Sequence, residues 1–398
     1  LADALKLHGP AGDRRTAQGF ALWFLGFRPF YLLAAIFASL SIALWGAQAA
    51  GWLTTPYLRG PLWHAHEMIF GFTLAVMTGF LFTAVRNWTS RPTPTGASLA
   101  ALALLWVAGR VLVLTPFDVA AACANVAFPL AVAVGIGKAL VGSGNRHNLF
   151  FVGLLVIMAA AAAATHAAQL HIAALPAWLG LRAALDVILL VMTVLGGRVI
   201  PMFTRNGVPG ARVHSSALVE RIVPISAVAL LFCDFVSSPP VLLAIVLGVG
   251  AATQFARVLL WRPWQTRRVP IVWILHVGYC WIPLHLALRG LSEYDLVAAP
   301  LATHALTVGA IGGLTLGMMT RTARGHTGRP LHADGWEIAA YASVTAAAMT
   351  RVLVPLALPS LYNAVIVASA VLWSAAYAIY AVRYWPVLTR PRLDGKPG

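Results

Sequence analysis

The chain has 398 residues, 60% of them hydrophobic and only 10% charged, with a mean hydropathy of +0.80. That composition excludes an ordinary soluble domain, whose apolar fraction is nearer one half. A net charge of +16 would normally raise nucleic acid as a partner, but the placement of the charges excludes that reading and points to membrane topology.

Taken in chain order, residues 1–26 form a short polar, basic tail with no cleavable signal pattern. Twelve windows of about twenty apolar residues follow, each long enough to span a bilayer as a helix. They cover 27–49, 63–85, 97–115, 117–138, 148–169, 177–199, 217–236, 239–260, 270–290, 297–320, 336–357 and 360–383. Residues 384–398 form a second tail, so 27–383 read as one all-α, polytopic membrane domain. With the N-terminus in the cytoplasm, 23 of the 28 Lys and Arg residues fall on the inner side. The outer loops hold only Arg59 and Arg289, so the positive-inside rule places both termini in the cytoplasm. Arg110, Arg182 and Arg351 remain, all inside predicted spans. Cys123, Cys233 and Cys280 form no CxxC and no CxxCH, which excludes a c-type haem attachment.

An internal repeat is visible. Gly196-Gly197-Arg198-Val199-Ile200-Pro201-Met202-Phe203-Thr204-Arg205 ends span 6, and Gly312-Gly313-Leu314-Thr315-Leu316-Gly317-Met318-Met319-Thr320-Arg321 ends span 10. Gly79 to Asn87, at the end of span 2, is a looser copy. Arg110-Val111-Leu112-Val113 in span 3 is echoed by Arg351-Val352-Leu353-Val354 in span 11. The pattern predicts three pseudo-repeated units of four helices, an arrangement that commonly puts a site between units. The glycines at 196–197 and 309–317 read as close helix packing.

Ionisable groups inside a bilayer are costly and mark functional sites. Nearly all of them here share the outer half. His64, His66 and Glu67 open span 2, in the run Trp63-His64-Ala65-His66-Glu67-Met68. His166 is near the outer end of span 5, and His285 is in the outer half of span 9. His304 lies about 10 Å into span 10 at 1.5 Å per residue. Arg182 and Asp186 form a predicted i,i+4 pair in span 6. His276 sits slightly to the inner side of the middle of span 9, sharing a face with Tyr279. Imidazoles suit copper and iron, and arginines near one face suit the propionates of a haem. Residues two apart on a helix point about 200° from each other, so His64 and His66 are expected to serve different centres unless the segment before His66 is not helical.

At these residues the chain resembles the NnrS family of haem- and copper-containing bacterial membrane proteins linked to nitric oxide metabolism and denitrification. The carriers are Gly26-Phe27-Arg28-Pro29-Phe30, the Trp63–Met68 run, Gly196–Thr204, Trp273-Ile274-Leu275-His276-Val277-Gly278-Tyr279, His304–Gly309 and Gly325-His326-Thr327-Gly328-Arg329-Pro330. The resemblance covers nearly the whole chain. It implies b-type haem, copper, nitric oxide as ligand or substrate and residence in the bacterial inner membrane, among lipids and without nucleic acid. His285 falls where the family is expected to have a small residue, which lowers its standing as a ligand. His326 is expected in a cytoplasmic loop, away from the outer cluster.

The architecture also looks like the catalytic subunits of haem-copper oxidases and nitric oxide reductases, whose haem ligands come from helices 2 and 10. Spans 6 and 7 here have no histidine, so their usual copper site is missing. The leading expectation is reduction of nitric oxide to nitrous oxide, which requires an electron donor. His64, His66, His276 and His304 are the expected metal ligands, with Arg110, Arg182 and Arg351 on propionates or neighbouring carboxylates. Glu67 and Asp186 are the expected proton carriers and Tyr279 a donor to bound ligand. The rival expectations are a nitric oxide-binding sensor or protective protein without turnover, and a transporter of copper, haem or a metal–nitrosyl species.

Overall fold

The structure is a computed structural model, and it describes residues 19–236 and 238–396. The predicted tail 1–26 therefore lies largely outside the described residues. Among those described there are helices and no strands. Long helices form at each apolar window: α1 Phe27–Ala49, α2 Gly60–Thr89, α3 Gly96–Leu112, α4 Asp118–Gly142, α5 Phe150–Gln169 and α6 Leu179–Gly207. They continue with α7 Ala217–Phe235, α8 Pro240–Trp261, α9 Pro270–Ser292, α10 Ala299–His326, α11 Gly335–Ala357 and α12 Tyr362–Thr389.

Ten helices among the described residues are long and apolar enough to cross a membrane, where the sequence predicts twelve spans. The two that fall short do so for separate reasons. Helix α3 has 17 residues, about 26 Å at 1.5 Å per residue, less than a hydrocarbon core of about 30 Å. Helix α7 carries Glu220, Arg221 and Asp234 within its 19 residues, so its apolar run is interrupted. The last helix runs to Thr389, six residues past the predicted end at 383.

Consecutive helices pack against one another, and α12 closes the bundle by packing on α1 as well as α11. The interior is occupied mainly by α2, α9 and α10, with 83%, 72% and 67% of their most apolar stretch buried. The outward faces are apolar too: Val134, Ile225, Phe232, Ile245 and Val371 are all exposed. Exposed aromatics sit near both ends of the bundle, with Trp52, Trp178 and Tyr294 at one end and Trp264, Trp336 and Trp385 at the other. Apolar flanks between two aromatic levels are the surface of a protein immersed in lipid. The chain is thus a multi-pass membrane protein.

Two interior helices are not α-helical throughout. In α2, Glu67–Thr73 is π-helical, directly after His64 and His66. In α10, Ala305–Gly312 is π-helical, directly after His304. Such stretches are rare and concentrate at functional sites. Helix α6, which carries one of the two best-matched copies of the predicted repeat, is α-helical from end to end, so in backbone conformation spans 2 and 10 are alike and span 6 differs. The two best-matched copies do touch, because the Arg321 guanidinium lies 3.8 Å over the Phe203 ring. Close approach is clearest where α9 meets α10: a β-carbon on Gly278 would fall 2.8 Å from the Leu314 backbone nitrogen.

The arginine-rich end is fastened by polar contacts. Arg28 donates to the carbonyls of Leu388 and Arg390, both at 2.9 Å. Arg392 donates to the His326 carbonyl at 2.9 Å, and Leu393 N–H donates to Thr327 O at 3.1 Å. The segment after α12 is therefore laid against the Gly325–Pro330 turn. Helix α11 begins with a capping box: Asp334 accepts from the Trp336 and Glu337 N–H groups, and Glu337 Oε2 accepts from Asp334 N–H at 2.7 Å.

Candidate functional site

The opposite end holds His64, His66, His166, His285 and His304. His66 is fully buried, and both its ring nitrogens are engaged. Its Nδ1 lies 2.7 Å from Glu67 Oε1, and its Nε2 lies 3.2 Å from Nε2 of His166 on α5. His166 Nδ1 in turn lies 2.7 Å from the hydroxyl of Tyr57, in the loop between α1 and α2, whose ring stacks on the imidazole at 11°. Arg110 of α3 donates to Glu67 Oε1 at 2.6 Å and to Asn125 Oδ1 of α4. Asn125 donates to the Ala121 carbonyl at 2.8 Å. Five elements thus converge on one continuous polar chain, Tyr57–His166–His66–Glu67–Arg110–Asn125, with every member buried. Burial, with Asp118 adding to it, raises the Tyr57 hydroxyl above its ordinary range, so it stays neutral. Glu67 Oε2 is buried and has no hydrogen bond.

His64 leaves the other side of the same turn, as two residues of helical rotation require. Its ring packs against Trp45 at 4.7 Å, and its buried Nδ1 has no partner. His64, His304 and Arg351 lie within electrostatic range of one another. Nδ1 of His304 is 2.6 Å from the Pro300 carbonyl. A carbonyl only accepts, so this Nδ1 carries the hydrogen and Nε2 presents its lone pair. Arg351 donates to the Tyr362 hydroxyl at 3.3 Å and keeps a buried Nη1 without a partner.

The remaining predicted residues are placed elsewhere. Asp186 pairs with Arg289 of α9 at 3.3 Å and shares it with Asp234 of α7, while Arg182, one turn away, is exposed. His276 lies nine residues before His285, or about 13 Å of helical rise, nearer the arginine-rich end. Its Nε2 is 2.8 Å from Thr204 Oγ1, and its Nδ1 has no partner. Tyr279, one turn on, donates to Gln254 Oε1 at 2.6 Å and accepts from Arg257 Nη1 at 2.8 Å. Arg257 also pairs with Glu220 and donates to the Thr193 carbonyl at 2.8 Å. A β-carbon at Gly197 would overlap its guanidinium, so that glycine makes room for an arginine. His276 and Tyr279 therefore belong to a second polar cluster, apart from the histidine end. His285 Nδ1 lies 2.7 Å from the Ala302 carbonyl.

Two residues of the histidine end were not among the predicted ligands. His166 shares the depth of His66, which was the available signal. Tyr57 lies in a loop and gave none. Among the described residues no group of three or more His, Cys, Asp or Glu side chains stands ready around one metal position. The donors present still fit the implied groups. His304 has a lone pair fixed by its backbone bond, His64 has an orphaned buried nitrogen, and Arg351 has an N–H free for a carboxylate.

The family model described as NnrS protein matches residues 21–392. A search of curated proteins found no match.

Proposed function

The chain belongs to the NnrS family, and from that premise we propose that it is a haem- and copper-bearing enzyme of the bacterial inner membrane that reduces nitric oxide to nitrous oxide. Membership makes it a nitric oxide-related protein, and its apolar helices make it a multi-pass membrane one. The proposal extends to all twelve helices as spans, α3 and α7 included, with both termini cytoplasmic and the histidine end facing outward. The charge asymmetry of the loops supports that orientation.

The observation that carries the reading is that His64, His304 and Arg351 lie within electrostatic range of one another, the two histidines just before π-helical stretches, with bonding capacity left over on each residue. His304 and His64 would hold a haem through iron, and Arg351 would take a propionate. The haem supplies an iron that binds nitric oxide. Nitric oxide is small, neutral and lipid-soluble, so a buried site can be reached from the bilayer without a polar channel. Two nitric oxide molecules, two electrons and two protons give nitrous oxide and water. The electrons come from a separate donor. Glu67 is the acid placed to pass protons from the histidine end, because its Oε1 is held by Arg110 while Oε2 stays open. The apolar walls exclude bulk water from the reacting gas.

Anaerobic assay of the purified, haem-loaded protein with a reductant tests this. Nitrous oxide is expected. A shift of the visible haem spectrum on adding nitric oxide, with no nitrous oxide formed, would leave a binding protein instead. His304→Ala is expected to lose haem, and His285→Ala to keep it. Equal haem content in the two variants would contradict the assignment.

A further inference from the structure

We propose that His66 and His166 form a binding site for a soft monovalent metal cation, copper(I) in type, distinct from the His64–His304 position. The inference deepens the reading above by separating the two metals, although its argument stands on the ring pair alone.

His66 and His166 come from α2 and α5, a hundred residues apart, and present their Nε2 atoms to each other at 3.2 Å. Each ring is oriented from behind. The Glu67 carboxylate accepts the hydrogen of His66 Nδ1, which leaves the His66 Nε2 as a bare lone pair. His166 Nδ1 meets the Tyr57 hydroxyl, which can donate or accept. When Tyr57 donates, His166 carries its hydrogen on Nε2 and the two rings share a proton. When Tyr57 accepts, His166 carries its hydrogen on Nδ1, and two lone pairs face each other in a buried space. Two lone pairs at that separation repel unless a cation lies between them. A hydroxyl partner allows both arrangements. His304 and His285, tied to carbonyls, have no such freedom.

The chemistry of the pocket selects the cation. Metal-binding histidines usually donate the far N–H to an oxygen acceptor such as a carboxylate, carbonyl or water, a place taken here by the Glu67 carboxylate and the Tyr57 hydroxyl. Two neutral imidazoles with no third ligand among the described residues are too few for zinc, which takes four, or for magnesium or calcium, which take oxygen. The Glu67 charge is already matched by Arg110 at 2.6 Å. The ring pair therefore offers no net negative charge to offset a divalent ion, and a monovalent one enters more cheaply. Copper(I) accepts nitrogen ligands at low coordination number and tolerates apolar surroundings such as Phe70, whose ring lies 5.1 Å from His66.

The test is anaerobic titration of the purified full-length chain with copper(I) against a competing chelator, with X-ray absorption at the copper edge to read the ligands. Wild type is expected to bind one copper ion per chain through nitrogen alone. His166→Gln is expected to lose that ion and keep its haem content. Tyr57→Phe, a loop substitution that leaves the helices untouched, is expected to weaken copper binding by about 10–100-fold. Copper bound by His166→Gln as tightly as by wild type overturns the proposal. So does a wild-type chain that binds none, in which case the rings share only a proton. Copper bound with no haem would fail the earlier reading and leave this one standing.

Discussion

Glu67 and Glu337 are both buried carboxylates paired with an arginine, at opposite ends of the bundle, and their surroundings differ. Both oxygens of Glu337 are engaged. Its Oε1 accepts from Arg324 at 3.0 and 2.6 Å and from the Tyr384 hydroxyl at 2.8 Å, and its Oε2 accepts from the Asp334 backbone. Glu67 spends Oε1 on Arg110 and His66 and leaves Oε2 bare. A saturated carboxylate fastens elements together. An unsaturated one in a buried setting costs stability, so its retention points to a use.

That contrast can be broken by substitution. Glu337→Ala is expected to have the largest effect, about 3–5 kcal/mol, because it removes the nearest carboxylate from the largely buried Arg324 and leaves only Asp334 at 3.7 Å. Thermal or denaturant unfolding in detergent would read it, and a loss below about 1 kcal/mol would put the two glutamates on the same footing. Glu67→Gln keeps the shape and removes the charge facing Arg110, at an expected cost of about 1.5–3 kcal/mol. Its sharper signature is weaker copper binding in the titration above, which a purely structural carboxylate would not produce. Asp334→Ala removes the cap of α11 but leaves the Glu337–Arg324 pair, for about 0.5–2 kcal/mol. If it costs as much as Glu337→Ala, the cap and the ion pair form a single unit.

Much of the fold was legible in the sequence, because apolar windows fix helices in a lipid solvent almost regardless of partner. The contacts across helices were not. The i,i+4 spacing of Arg182 and Asp186 could not reveal that Arg289, from another helix, would take the aspartate. Arg257 read as one more inner-loop charge, yet it is buried against Gly197, Tyr279 and Glu220. The two-residue spacing of His64 and His66 did foretell that they would face different neighbours, since that follows from one helix alone. His166 was visible by depth and silent about its partner. The π-helical stretches had no signal, because they depend on how α2 and α10 are gripped by the helices around them.

Those stretches bear on how such proteins can be altered. A π-helical turn accommodates an extra residue, and one residue is about 100° of rotation on an α-helix. The histidine-bearing turns of α2 and α10 are thus set in phase independently of the glycine-lined turns beyond them. A one-residue deletion within Glu67–Thr73 would swing His64 and His66 around the axis while the packing from Leu74 onward stayed where it is. The same helical frame can therefore be re-indexed to aim different ligands inward without rebuilding its core.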